Sequence, residues 1–230
     1  METYGLIFAA GKETRFEGDK PKALSMFGDV CLLDYNINIL KRYCDRVFVV
    51  CNEQNKKWFA TYDTIVIESG KGCGHAVLTA LETINPERVV IAWGDCILTE
   101  DVIAKTLNVA TFDDCLFIPC VYEDKPYVRI ERSIGNKRGF VEFGKYNEVT
   151  GGGYHDYGCF VCNRMYLLMH LFSFHKKYYK KGIDGYVHKH GNEMQFLDVI
   201  NETKIRYACV AFDYEAKSFN TINEQKNITL

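Results

Sequence analysis

Leu6-Ile7-Phe8-Ala9-Ala10-Gly11-Lys12-Glu13-Thr14-Arg15-Phe16-Glu17-Gly18-Asp19-Lys20-Pro21-Lys22-Ala23-Leu24 is the stretch on which the reading of the whole chain turns. An apolar run from Tyr4 to Ala10 ends in two small residues and a glycine, and Lys12, Arg15, Lys20 and Lys22 follow closely. This is the pattern of a buried strand feeding an anion-binding loop. Small residues let backbone N–H groups approach phosphate oxygens, glycine permits positive φ, and Lys or Arg supplies charge. The competing reading is an ordinary strand-to-loop turn with a solvated basic rim.

Downstream, strand, loop and helix patterns alternate. Leu33, Ile37 and Leu40 recur at helical intervals within Val30–Cys44, and Arg46 to Cys51 is a short apolar run of the kind buried in a parallel sheet. Asn52-Glu53-Gln54-Asn55 reads as opening another helix, Thr64 to Ile67 as a strand, and Ala76 to Ile84 as a helix after the glycine-rich Ser69–His75. Arg88 to Trp93 is a further buried strand, ending in Gly94-Asp95. Such alternation predicts an α/β fold with right-handed crossovers, a mostly parallel sheet flanked by helices, and ligands at the carboxyl ends of its strands.

The second half changes character. Cys115 to Tyr122 reads as a strand, Tyr127–Arg132 and Gly139–Phe143 as a hairpin, and Asp156 to Cys162 as one strand. Helices follow at Arg164–Lys177 and Glu193–Asn201, then a strand at Arg206–Phe212. With no repeat or linker in 230 residues, the expectation is a single domain over 1–230, its halves meeting near residue 113.

Composition narrows the function classes. Hydrophobic residues make up 47% and charged residues 25%, as in globular proteins, and a net charge of −2 gives no nucleic-acid footprint, so a polyanion site must be local. The dense basic run His175–Lys181 reads as a solvated helix end. Most of the ten cysteines lie in apolar runs without a leader-like segment before them, and are read as reduced thiols of a cytoplasmic protein. Cys159 and Cys162 have a C-x-x-C spacing, but strand alternation would turn them to opposite faces, against a zinc or redox pair. No apolar run approaches the ~20 residues of a membrane helix.

Asp95, a carboxylate directly after a strand and a glycine, is placed to carry a divalent cation toward phosphate oxygens, unless it merely caps the next helix. The opening stretch resembles the signature L-x-A-A-G-x-G-x-R followed by P-K-x-L of nucleotidyltransferases of the sugar-nucleotide pyrophosphorylase type. Ala9, Ala10, Gly11, Arg15, Pro21, Lys22 and Leu24 match, while Glu13 replaces the second glycine. Gly94-Asp95-Cys96-Ile97-Leu98 is similar to the family's metal-binding G-D-x-x-L, and Ser218–Glu224 to the segment that supplies a second metal ligand, here Asn220, with Asp213 the weaker candidate. Gly72-Cys73-Gly74-His75-Ala76-Val77 resembles the base-reading G-T-G-H-A-V of N-acetylglucosamine-1-phosphate uridylyltransferases, although their glutamine five residues earlier is Ile67 here, with Glu68 beside it. His75 itself reads as a helix-start or core histidine.

The resemblance implies a Rossmann-like sheet of the nucleotide-diphospho-sugar transferase type with a small β-rich acceptor lobe. It implies a Mg²⁺-dependent enzyme that joins UTP or CTP to a phosphorylated sugar or small alcohol and releases pyrophosphate. Arg15 and Lys22 would be catalytic; Ala9, Ala10, Gly11, Lys12, Gly72, Cys73 and Gly94 would bind the nucleotide. Val128, Glu142 and Asp156 would face the acceptor, with Val128 and Asp156 departing from the glycine and asparagine of the uridylyltransferases. Asp95 and Asn220 would hold the metal. No nucleic acid or membrane partner is expected, and a homodimer is left open. Three other readings compete: a cytidylyltransferase for a non-sugar acceptor, a glycosyltransferase of similar fold, and a catalytically inactive nucleotide-binding protein. The glycosyltransferase expects D-x-D where this chain has a single carboxylate.

Overall fold

The computed structural model describes residues 1–11, 20–111, 113–126, 128–130, 141–143, 151–189, 191–219, 225–226 and 228, with the side chains of 141–143 excepted. Its strands are β1 (Thr3–Phe8), β2 (Arg46–Asn52), β3 (Thr64–Ile67), β4 (Arg88–Trp93), β5 (Leu116–Glu123), β6 (Val128–Ile130), β7 (Val141–Phe143), β8 (Gly153–Asp156), β9 (Cys159–Asn163) and β10 (Tyr207–Phe212). Helices are α1 (Leu32–Leu40), α2 (Cys73–Glu82), α3 (Glu100–Val109), α4 (Arg164–Tyr178) and α5 (Phe196–Thr203). The strands form one ten-stranded sheet in the order β7-β6-β8-β5-β9-β4-β1-β2-β3, with β10 on the free edge of β5.

β1 runs parallel to both β2 and β4, which is why it reads as an unbroken apolar run: both its faces are covered. Leu6 and Phe8 point into one apolar layer, shared with α2, α4 and α5, and Ile7 and Ala9 into the other, shared with α1 and α3. β9 is antiparallel to β4 and β5, while β10 is parallel to β5, so the sheet is mixed and mostly parallel at its centre. Cys159 and Cys162 fall into opposite apolar layers, as alternation requires, and the ten cysteines are free thiols. Among the described residues no helix is long and apolar enough to cross a membrane.

Several elements differ from the sequence reading. Asn52–Asn55 does not open a helix; it forms a turn closed by reciprocal bonds, Asn52 N–H to Asn55 Oδ1 at 2.9 Å and Asn55 N–H to Asn52 Oδ1 at 3.0 Å, before a 3₁₀ turn at Lys56–Phe59. Such Asx bonding competes with helix formation. α2 begins at Cys73, three residues earlier than expected, because Gly72 at φ 93° marks the start. α5 begins at Phe196 rather than Glu193, since Met194 is bound to the loop before α2. The expected strand Asp156–Cys162 is broken: Asp156 Oδ1 accepts the Gly158 N–H at 2.8 Å and Gly158 takes φ 67°. That bend lets β8 pair with the end of β5 and β6, while β9 passes between β4 and β5. Within the predicted hairpin, β6 and β7 pair antiparallel with Ile130 opposite Val141.

Gly158 also leaves room for a neighbour. A Cβ there would lie 2.1 Å from Cys96 Sγ. Replacing Gly158 by alanine adds left-handed strain of ~1–2 kcal/mol to a clash worth ~1–3 kcal/mol. Gly158→Ala should therefore destabilise by about 2–5 kcal/mol in urea denaturation. Gly28→Ala, at φ 60° with open space around it, should lose only the strain contribution.

Candidate functional site

The sheet order reverses between β1, which is followed outward by β2 and β3, and β4 on its other side. Crevices at such switch points, outside the carboxyl ends of the strands, are where open α/β sheets bind ligands. Here Phe8 is in register with Trp93, and the Gly94 N–H donates to the Phe8 carbonyl at 2.9 Å, so the two strands end level. Gly94 is confined: a Cβ would sit 2.8 Å from Phe8 O and 3.2 Å from the Cβ of Ala23. Ala23 belongs to a 3₁₀ turn, Lys22–Leu24, begun by Pro21 at φ −52° and closed by Leu24 N–H to Pro21 O at 2.8 Å.

Ala23, buried against Gly94, carries Lys22 to the strand ends. Lys22 Nζ lies 2.8 Å from Asp95 Oδ2, with side-chain exposures of 14% and 29%. The pair is thus shielded but still reached by solvent, a setting in which charge acts on a ligand more strongly than at an open surface. The loop beyond Asp95 is fixed by Asn36 of α1, fully buried, whose Nδ2 donates to Cys96 O at 2.8 Å and whose Oδ1 accepts from Leu98 N–H at 3.0 Å. Burial, reinforced by the Asp95 and Asp156 charges, holds the Cys96 thiol far above its ordinary pKa, so it stays protonated.

The β1 end is fixed from the other side. Ala9 N–H donates to Val50 O at 2.8 Å, Asn55 Nδ2 to Ala9 O at 2.7 Å and Asn52 Nδ2 to Ala10 O at 2.9 Å. Gly11 is exposed at the tip. Lys12, Glu13, Arg15 and Asn220 lie outside the described residues. The chain nearest before Asn220 is in place: Lys217–Ser218 pair antiparallel with Cys96–Ile97, next to Asp95, and Phe219 is buried against Leu32 and Ile97.

The glycine-rich loop before α2 has a packing role that its sequence did not disclose. Gly74 N–H donates to Met194 O at 2.7 Å, and a Cβ on Gly72 would stand 2.5 Å from that oxygen. Cys73 Sγ accepts from Phe196 N–H at 3.2 Å and lies 3.3 Å from Gln195 Oε1; burial raises its pKa to about 11. The pair of glycines therefore admits the 193–196 backbone. His75 is a half-buried network member, as its helix-start position suggests: its Nδ1 is 2.7 Å from the Tyr186 hydroxyl, which is 2.8 Å from His175 Nδ1.

On the acceptor side expected from the sequence, Val128 is buried in the core beside Ile130, Glu142 lies on β7 with its backbone opposite Arg129, and Asp156 is nine-tenths buried, bound to Gly158 N–H. The carboxyl of Glu123 is raised by burial and by Glu215 and Asp156, against the opposing pull of His155. Asn36, Asn52 and Asn55 were missed in the sequence because asparagine is common in helices' flanks and turns; only the N-x-x-N spacing directly after a strand offered a signal.

Fold and site together define an α/β protein with a cation and a carboxylate paired at a sheet switch point. The chain belongs to the MobA-like NTP transferase domain family, whose model matches residues 5–183. It is 30% identical over 161 residues to the bifunctional protein GlmU of Nitratidesulfovibrio vulgaris, a match covering 65% of this chain and 35% of that protein. It thus spans about a third of the length of this relative. An inositol-1-phosphate CTP transferase from T. maritima superposes with a TM-score of 0.71 at 15% identity, covering 97% of this chain and 91% of that one. A UDP-glucose pyrophosphorylase complexed with UDP-glucose superposes with a TM-score of 0.70 at 16% identity, covering 96% and 93%. These two share the fold.

The His75–Tyr186–His175 network makes stability depend on pH. Burial first, then Lys71 and His175, lowers the His75 pKa to about 4, and burial lowers that of His175. Folded, both take up a proton only at lower pH than in the unfolded chain, where imidazoles protonate near pH 6.5. The unfolded state then binds more protons, so stability is full above about pH 6.5 and falls as pH drops toward 4. For His75, allowing for partial solvent screening, the loss is about 1–2 kcal/mol. Urea midpoints measured from pH 7 to pH 4 should show this slope in the wild type and a shallower one in His75→Gln.

Proposed function

We propose that this chain is a nucleotidyltransferase: it joins a nucleoside triphosphate, UTP or CTP, to a phosphorylated sugar or small phosphorylated alcohol and releases pyrophosphate. The observation that carries the reading is the Lys22–Asp95 pair at 2.8 Å, at the switch point between β1 and β4. Family membership and the GlmU relative support it.

In this reaction an acceptor phosphate oxygen attacks the α-phosphorus, the bond from that phosphorus to the bridging oxygen breaks, and the electron pair leaves with pyrophosphate. The nucleophile is already an anion, so no general base is required. Catalysis then rests on positioning and on neutralising charge. Lys22 would stabilise the five-coordinate α-phosphoryl group, and Arg15, with Lys12, the departing pyrophosphate. Ala10, Gly11, Gly72 and Cys73 would supply backbone contacts to the nucleotide, Ala9 and Gly94, whose N–H groups are bound to Val50 O and Phe8 O, would form the floor beneath it, and Glu142, Val128 and Asp156 would shape the acceptor side.

The donor set at Asp95 fits Mg²⁺. The ion prefers oxygen ligands and commonly takes one or two carboxylates with substrate phosphates, and the neighbouring Cys96 thiol is protonated and offers no soft ligand. Asp95 would hold the ion, with Asn220 as second ligand. Bound there, Mg²⁺ would add positive charge for the triphosphate oxygens. A phosphorylated amino compound is the second reading for the acceptor, favoured by the carboxylate of Asp156 where the uridylyltransferases have an asparagine.

The test is pyrophosphate release from UTP and CTP with Mg²⁺ and a panel of sugar phosphates, alcohol phosphates and amino alcohol phosphates. Lys22→Ala and Asp95→Ala should each lower turnover about 10²–10³-fold while the protein stays folded by circular dichroism. Near-normal release by both variants would overturn the mechanism.

A further inference from the structure

The turn that follows β2 holds the two carbonyls at the tip of β1, and those contacts fix where the adjoining amides point. Ala9 keeps strand geometry: its N–H donates to Val50 O at 2.8 Å and its carbonyl accepts from Asn55 Nδ2 at 2.7 Å, both on the β2 side. In a regular strand the carbonyl of Ala10 would turn to the opposite side, toward β4. It does not; it too faces β2, accepting from Asn52 Nδ2 at 2.9 Å. In a trans peptide the carbonyl and the following N–H point in opposite directions. Two successive carbonyls drawn to β2 therefore turn the N–H groups of Ala10 and Gly11 together toward β4, the side on which Gly94 donates to Phe8 O and Asp95 meets Lys22. Successive amides aimed one way form a concavity for an anion.

We infer that Asn52 and Asn55 are positioning residues for the triphosphate: neutral amides that hold two backbone N–H groups in the cleft while remaining behind the strand, out of reach of the ligand. This rests on the nucleotidyltransferase reading. The pair is pre-set, since each asparagine's backbone N–H donates to the other's Oδ1, leaving both Nδ2 groups for the β1 carbonyls. Asn52 is 4% exposed, so its orientation is held by packing as well. Successive backbone amides favour an anionic oxygen whatever the base, so their contribution should be the same for every nucleoside triphosphate.

The experiment measures binding of UTP, CTP and inorganic tripolyphosphate, each with Mg²⁺, by isothermal titration calorimetry. Wild type is compared with Asn55→Asp, Asn52→Asp, Asn55→Ala and the exposed control Gln54→Ala. An aspartate keeps the size but cannot donate to a carbonyl when ionised, and it repels one. The expected result is a loss of affinity of about tenfold or more in the Asp variants, the worth of a charge-assisted hydrogen bond. The loss should be equal for UTP, CTP and tripolyphosphate, with the acceptor KM and the control unchanged, in titrations run well below the melting temperature of each variant, which a carboxylate facing these carbonyls lowers. Asn55→Ala, which removes the donor without adding charge, should show the smaller loss in the same direction. Variants that bind all three ligands as tightly as wild type would overturn the inference. So would a loss that differs among the three ligands or comes with a raised acceptor KM, since that marks a merely structural role. A wild type that binds neither triphosphate nor tripolyphosphate would overturn the nucleotidyltransferase reading itself.

Discussion

The hydrogen bond from the Gly94 amide to the Phe8 carbonyl is the constraint on which the site depends. It brings two parallel strands to an end at the same level, and everything chemical here is hung from those two ends. Because Gly94 has no side chain, Ala23 can close down on it; because Ala23 closes down, Lys22 reaches Asp95. A side chain at 94 would push the 3₁₀ turn outward and separate the ions. The ion pair is thus the product of a steric fit between backbone atoms, not its cause, which accords with the small net stability that partly exposed ion pairs contribute.

The fold was largely legible because its central strands are buried on both faces and hence uniformly apolar. β1, β2 and β4 announce themselves as runs of Leu, Ile, Val and Phe, and the alternation with amphipathic helices dictates parallel order. The meeting of Lys22 with Asp95, 73 residues apart in the chain, was legible too, since both follow strands that topology must align. What failed was local. Asp156–Cys162 looks like one strand because Tyr157 and Cys159–Cys162 suit a strand, and the break comes from the Asp156 side chain bonding to the Gly158 N–H, which no periodicity reveals. The glycines around Cys73 looked like ligand-binding geometry, yet their immediate partner is Met194, a contact across more than a hundred residues.

Three asparagines share a further theme. Asn36 bridges both sides of the loop after Asp95, and Asn52 and Asn55 hold the tip of β1. Each satisfies backbone groups that would otherwise be lost at a strand end, where the sheet ladder stops. A neutral amide does this without adding charge beside the Lys22–Asp95 pair. A lysine or aspartate in the same places would shift the field that Lys22 and Asp95 create.

The chain's closing segment carries one more consequence. Lys217–Ser218 pair with Cys96–Ile97 and Phe219 seats between Leu32 and Ile97, so the loop bearing Asp95 acquires its last neighbours from residues that leave the ribosome more than a hundred positions later. During synthesis the amino-terminal half can collapse around β1, β2 and β4 first, since those contacts are complete within it. The loop bearing Asp95, by contrast, is fixed only once residues 217–219 have been made, so its geometry is set after β1, β2 and β4 have paired.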